Sequence, residues 1–113
     1  MEHIDLAYLE RLYKGDRVRM AHWARIYLED APGLIKRLED RLHADDAQGL
    51  VSVAHDLRPL AHYLGAERLL ELLVRLGQEA RSSGIPACAA TVSEIAALEE
   101  AIEDELRSVF GIT

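Results

Sequence analysis

The chain has 113 residues, half of them apolar, and 13 basic against 20 acidic side chains, for a formal net charge of −7. That length supports one core and no second, so residues 1–113 are expected to form a single helical domain; Leu, Ala, Glu and Arg dominate, β-branched runs are absent, and a helical bundle is expected rather than a sheet. The acidity, with a pI near 5.1, speaks against nucleic-acid binding, which needs an accumulated positive field.

Taken in chain order, the first helix is expected from about Ile4 to Tyr13, with Ile4, Leu6, Leu9, Leu12 and Tyr13 as its apolar side and Gly15 as its stop. Asp16 reads as the N-cap of a long second helix carrying Val18, Met20, Trp23, Ile26, Tyr27, Leu34, Ile35, Leu38 and Leu42. Pro32 and Gly33 interrupt it, but the apolar spacing continues across them, which favours a kink in one rod over a break. The acidic pair Asp45 and Asp46 caps a third helix that runs to Leu64 and stops at Gly65. A fourth helix, from Ala66 to about Ser82, is expected to bury Leu69, Leu70, Leu73 and Leu76. Ser83 and Gly84 form a turn, and Pro86 opens a final helix with Val92, Ile95, Leu98, Ile102, Leu106 and Val109 at helical spacing. Short connections make neighbouring helices antiparallel. The expected fold is therefore all-α: an up-and-down antiparallel four-helix bundle with a short accessory N-terminal helix.

The third helix carries the most informative residue. Turned at about 100° per residue, it places Leu50, Val53, Ala54, Leu57, Leu60, Ala61 and Leu64 on a broad arc opposite His55. Gln48, Val51, Ser52, Arg58, Pro59 and His62 share the histidine's side. His55 is thus expected to face solvent, with a cation one turn further along and a second imidazole two turns along.

The stretch His55, Leu57, Arg58, Pro59, Leu64 and Gly65 resembles the signature of histidine-containing phosphotransfer (HPt) domains of two-component phosphorelays. That signature is a phosphorylatable histidine, a leucine two residues on, a lysine and a glycine, then a hydrophobic residue and a second glycine. The flanks are similar too: Ile4-Asp5-Leu6, the run from Tyr27 to Pro32, and the run from Gly65 to Leu69 look like the family's usual surroundings. Two positions depart from the pattern. Arg58 in place of lysine keeps a permanent charge and adds a planar fork of donors suited to phosphate oxygens. Pro59 in place of glycine withholds a hydrogen bond from the His55 carbonyl and crowds it, at about 3 kcal/mol in a straight helix.

The resemblance implies that His55 takes a phosphoryl group from the phospho-aspartate of a response-regulator receiver domain, or returns it, with a hybrid sensor histidine kinase as a further partner. Arg58 would compensate charge on the equatorial oxygens, and Gln48, Val51, Ser52, Pro59, His62 and, at the rim, Arg68 would form the binding surface. No cofactor and no metal of the chain's own is implied, because the magnesium and its acidic pocket would belong to the receiver. A degenerate domain that binds a receiver or kinase without being phosphorylated, as scaffold or decoy, stays open as an alternative. A purely structural oligomerisation module is the third reading.

Simpler roles are expected for the remaining candidates. His62 lies about 10.5 Å along the helix from His55, too far to share one phosphoryl group. His3, His22 and His43 have no partners at metal-ligand spacing. Cys88 cannot form an internal disulfide and reads as a small buried residue, while Trp23 and Tyr27 read as core. The acidic run Glu94, Glu99, Glu100, Glu103, Asp104 and Glu105 reads as the wet side of the final helix. With no segment resembling a signal peptide or reaching membrane-spanning length, no membrane insertion and a cytoplasmic location are expected.

Overall fold

Asp16 accepts hydrogen bonds from the backbone N–H groups of Val18 and Arg19, and this cap starts a helix of 27 residues. In the computed structural model, which describes residues 1–113, the elements are α1 (Ala7–Leu12), α2 (Arg17–His43), α3 (Ala47–Tyr63), α4 (Glu67–Ser82) and α5 (Ala89–Phe110). A short 3-10 turn, Ile85–Cys88, precedes α5, and there are no strands. The all-α bundle expected from the periodicity is present: α3 packs between α2 and α4, and α5 closes the bundle against α2 and α4. α2 runs unbroken across Pro32, whose ring is exposed. No helix is long and apolar enough to cross a membrane.

Leu50, Val53, Ala54, Leu57, Ala61 and Leu64 line the core side of α3 and its end, as their spacing predicts. They join Met20, Ala24, Tyr27, Ala31, Ile35 and Leu38 of α2 in one cluster of 26 buried apolar residues. Asp46 caps α3 by accepting from the Gly49 N–H at 2.9 Å. At the other end, Gly65 takes φ +57°, where an L side chain is strained, and a Cβ there would collide with the Asp5 carbonyl oxygen. Gly15 is also left-handed, at φ +76°, but a Cβ on it would meet open space. Gly65→Ala is therefore expected to lower stability by at least about 2 kcal/mol and Gly15→Ala by about half that, as read by chemical denaturation. Equal losses would show that the Asp5 contact contributes nothing.

Several details differ from expectation. The first helix is shorter, because Ile4 and Leu6 are buried in a non-helical lead-in. That lead-in is tied down by the Asp5 N–H donating to the Leu64 carbonyl at 2.8 Å and by the Glu105 carboxylate, which accepts from the backbone of Glu2 and His3. Pro86 sits in the 3-10 turn rather than at the head of the last helix, which begins three residues later. Leu72 is buried where Leu70 was expected, and Leu70 is half-buried. Leu12, Val18 and Ile26 are exposed. Val18 and Ile26 lie about 160° and 120° round α2 from Met20, outside the arc that its neighbours cover.

Glu99 is the largest correction. Expected on the wet side of the final helix, it is only 2% exposed. Its position follows from spacing: it stands four residues after Ile95 and three before Ile102, both fully buried, and so lies on the core stripe of α5. The signal was present in the periodicity and was masked by the charge of the residue.

Candidate functional site

The arc of α3 opposite the core is the polar face, and its local chemistry determines what it can do. His55 stands exposed near the middle of this face, and its ring makes no hydrogen bond or ion pair within the protein. Gln48 and Ser52 lie one to two turns before it, Pro59 and His62 one to two turns after, and all four are exposed. Val51 and Arg58 flank the same line and are half-buried. Arg58 has no carboxylate within ion-pair distance, so its donors are free for another anion. The structure thus brings together His55, Arg58, Gln48, Val51, Ser52, Pro59 and His62 on one helical face.

Arg68 stands apart from this group. It is on the first turn of α4, where its guanidinium is held by Glu71 and Glu94, each at 3.3 Å. It borders a recess shared with Glu2, His3, Ile4, Asp5, Gly65 and Glu67 rather than with His55. Its charge is therefore already balanced on the far side of the α3–α4 turn.

Pro59 lies inside α3 without interrupting it. A proline has no N–H, so the His55 carbonyl receives no helical donor from that position. The ring sits one turn from the imidazole on the exposed face, where it adds bulk and no hydrogen-bonding capacity.

His62 does more than meet solvent. Its ring packs against Tyr8 of α1 with centroids 4.8 Å apart, Tyr8 meets Tyr63 at 5.4 Å, Tyr63 meets Trp23 at 5.7 Å, and Trp23 stacks on Tyr27 at 5.8 Å. This aromatic chain fastens α1 and the end of α3 to α2. Nothing in the local sequence of α3 announced it, because the partners come from three different helices.

His55 lines none of the five principal recesses of the surface. The recess closest along α3 has a volume of about 390 Å³ and opens between α1, the end of α3 and the start of α4, with Tyr8, Arg11 and His62 on its walls. Small-molecule sites are concave and enclose their ligands. An exposed imidazole on a convex helix face instead suits a partner that brings its own concave pocket. No three His, Cys, Asp or Glu side chains converge closely enough to hold a metal ion.

The groups with displaced ionisation all lie away from this face. Burial pushes the Glu99 carboxyl up to about 8, with the neighbouring Glu103 adding to the effect. Burial, reinforced by Glu99, raises the Tyr27 phenol, and burial raises the Cys88 thiol. Cys88 is fully buried with its S–H directed at the Gly84 carbonyl, as a small core residue.

A family model for the Hpt domain matches residues 22–108, from the second helix to the end of the last, with His55 inside the matched segment. Searches of curated proteins and of solved structures return no match. The family match covers more than three quarters of the chain and agrees with the helical bundle and its exposed histidine; the protein belongs to the Hpt domain family, whose members carry phosphotransfer in two-component signalling and work with response-regulator receivers and kinases.

Proposed function

We propose that residues 1–113 form one phosphorelay domain in which His55 is the phosphoryl acceptor. The unprotonated ring nitrogen attacks the phosphorus of a receiver's aspartyl phosphate in line. The N–P bond forms as the P–O bond to the aspartate breaks, and the carboxylate leaves with the bonding electrons. The proton on the other ring nitrogen stays where it is, so no general base is needed. The reverse step returns the group to a receiver aspartate. The observation that carries this reading is the placement of His55: exposed and unengaged, on a convex helix face, with a free guanidinium one turn away.

Arg58 is proposed to offset charge on the equatorial phosphoryl oxygens. Arg58→Gln is expected to slow transfer from a phosphorylated receiver by about tenfold to a hundredfold, and Arg58→Lys to retain most of the rate. Rapid-quench measurement of transfer checks this; equal rates for wild type and Arg58→Gln would remove the role.

The test of the function itself is to mix the protein with phosphorylated receiver domains of its own organism and look for acid-labile, alkali-stable phosphate, the signature of an N–P bond. Absence of such phosphate while receiver binding persists would replace this reading with the second one, a domain that binds a receiver without being phosphorylated. Pro59 is the observation that favours the second reading, since its ring occupies the exposed turn next to the nucleophile. On the relay reading, Pro59→Gly is expected to leave transfer within about threefold of wild type, a barrier change under about 1 kcal/mol. Transfer that appears only in Pro59→Gly would establish the second.

A further inference from the structure

Arg81, on the last turn of α4, is exposed and stands apart from the ion pairs of its helix, which are made by Arg68 and Arg75. Its side chain lies back along the helix: a Cβ placed on Gly77 would meet Nη1 of Arg81 at 3.5 Å and Cζ at 3.9 Å. Helical side chains lean towards the N-terminus of their helix, and the missing side chain at buried Gly77 gives this one a place to lie. The result is a guanidinium held one turn before its own Cα with no carboxylate to balance it.

The level of that guanidinium along the bundle follows from how α3 packs on α4. The two helices are joined by a short turn and run antiparallel, and Ala61 and His62 of α3 line one recess together with Leu70 of α4. Seven residues from that contact, about 10.5 Å along each helix, stand Ala54 and His55 on α3 and Gly77 on α4. The guanidinium over Gly77 is therefore level with the imidazole of His55.

It is also on the flank of His55 that carries Arg58. With His55 at zero, His62, Val51 and Arg58 lie about 20°, 40° and 60° round α3 to one side, and Pro59, Ser52 and Tyr63 about 40°, 60° and 80° to the other. Tyr63 meets Trp23 of α2, whereas His62 borders the recess with Leu70, so the flank of Arg58 faces α4 and that of Pro59 faces α2. On α4, Leu70, Val74, Gly77 and Arg81 follow at intervals of four, three and four residues, one stripe along the edge that meets this flank. Helices in contact have axes about 8–10 Å apart. Arg58 stands on one side of that gap and Arg81 on the other, and neither has a carboxylate within ion-pair distance.

We infer that Arg81 is a second anion-binding side chain for the phosphoryl group on His55, forming with Arg58 a two-guanidinium corner on the α4 flank of the imidazole. This inference rests on the relay reading for the presence of that group. As the N–P bond forms and the P–O bond to the aspartate breaks, the carboxylate leaves with the electron pair and the three non-bridging oxygens keep their negative charge. One guanidinium binds two oxygens at most through its planar fork; a second, brought in by another helix, holds the third and fixes the orientation of the group. Pro59 lies on the opposite flank and leaves this corner clear. The sequence of α3 contains no sign of Arg81, which lies 26 residues beyond His55 and reaches its level only through the packing of α4.

The test follows single-turnover transfer from phosphorylated receiver domains of the source organism to wild type, Arg81→Gln, Arg81→Lys, Arg58→Gln with Arg81→Gln, and Arg75→Gln, a control at an exposed arginine of α4 off this stripe. Arg81→Gln is expected to slow transfer about fivefold to thirtyfold, Arg81→Lys to recover most of the rate, and the double variant to be slower than either single one. Arg75→Gln should stay within about twofold of wild type. Phosphorus NMR of the phosphorylated proteins adds a readout that a structural role would not move: without Arg81 the second ionisation of the phosphoryl group shifts to higher pH, because a cation that favours the dianion is gone. Arg81 is exposed, so the unfolding midpoint of each single variant should match wild type. Wild-type rates and an unmoved phosphoryl ionisation in Arg81→Gln, with normal uptake by wild type, would overturn the role of Arg81 and leave the relay reading standing. Absence of acid-labile phosphate on wild type would remove the relay reading and this inference with it.

Discussion

His55→Gln is expected to abolish phosphate uptake, lowering transfer by at least about 10³-fold while receiver affinity stays within about twofold. Glutamine keeps a polar side chain of similar reach but has no lone-pair nitrogen able to form a stable N–P bond. His55 is exposed and makes no hydrogen bond, so its replacement removes chemistry and little packing. The adjacent surface, Val51, Ser52, Pro59 and Arg58, is left in place to meet the partner. His62→Gln provides the contrast. His62 is about 10.5 Å away along the helix and packs on Tyr8, so its loss is expected to leave transfer within about threefold and to loosen the attachment of α1. Single-turnover transfer and receiver titration on the same preparations decide the matter. Acid-labile phosphate persisting on His55→Gln, or lost from His62→Gln alone, would move the acceptor elsewhere.

The second large effect concerns stability. Glu99 is 2% exposed, its Oε1 has no hydrogen-bond partner, and neither has the hydroxyl of buried Tyr27. The groups that bear on it are Tyr27 from α2 and Glu103 and Glu100 from its own helix, while the buried residues that α3 and α4 contribute are all apolar. No cation is near enough to stabilise the ionised form, and burial, followed by Glu103, lifts the carboxyl from 4.5 to about 8. A carboxyl whose folded value is raised binds its proton more tightly in the native state than in the unfolded one. Its contribution is therefore fully present below pH 4.5, declines as the unfolded chain ionises, and is exhausted above about pH 8.

Wild-type stability is accordingly expected to fall between about pH 5 and pH 8 by roughly 2–4 kcal/mol from this group. Glu99→Gln, which cannot ionise, should lose that slope and exceed wild type by a similar amount at pH 8. Urea denaturation at several pH values measures both quantities. A variant whose stability runs parallel to wild type across the range would show that Glu99 is not the group responsible.

Much of this molecule could be read from local signals. Asp16, Asp46 and Gly65 mark helix boundaries through interactions contained within a few residues, and the spacing from Leu50 to Leu64 assigns a buried and an exposed face to α3. The exposure of His55 followed from the same spacing, because it requires only knowledge of its own helix, while its reading as a nucleophile came from the resemblance to HPt domains. Its free guanidinium neighbour was legible from the spacing as well. Arg68 was expected at the rim of the binding surface, whereas its guanidinium is engaged by Glu71 of its own helix and Glu94 of α5, partners that the local sequence of α3 does not reveal.

Other features depended on which element covers which surface. Ile4 and Leu6 are buried outside a helix because the Asp5 backbone pairs with the Leu64 carbonyl, a contact between distant parts of the chain. Val18 and Ile26 are apolar and exposed because no neighbouring helix reaches the outer arc of α2. The packing of Tyr8 on His62 needed α1 to cross the end of α3. At Glu99 two local signals conflicted, a core position by periodicity and a surface residue by charge. The sequence by itself determined the helices, the caps at Asp16, Asp46 and Gly65 and the exposed histidine, since these arise from short-range hydrogen bonding and the period of apolar residues. Only the tertiary structure decided that a carboxyl enters the core, that an apolar strip stays out of it, and that an aromatic chain joins three helices, because burial is a property of the surfaces that meet.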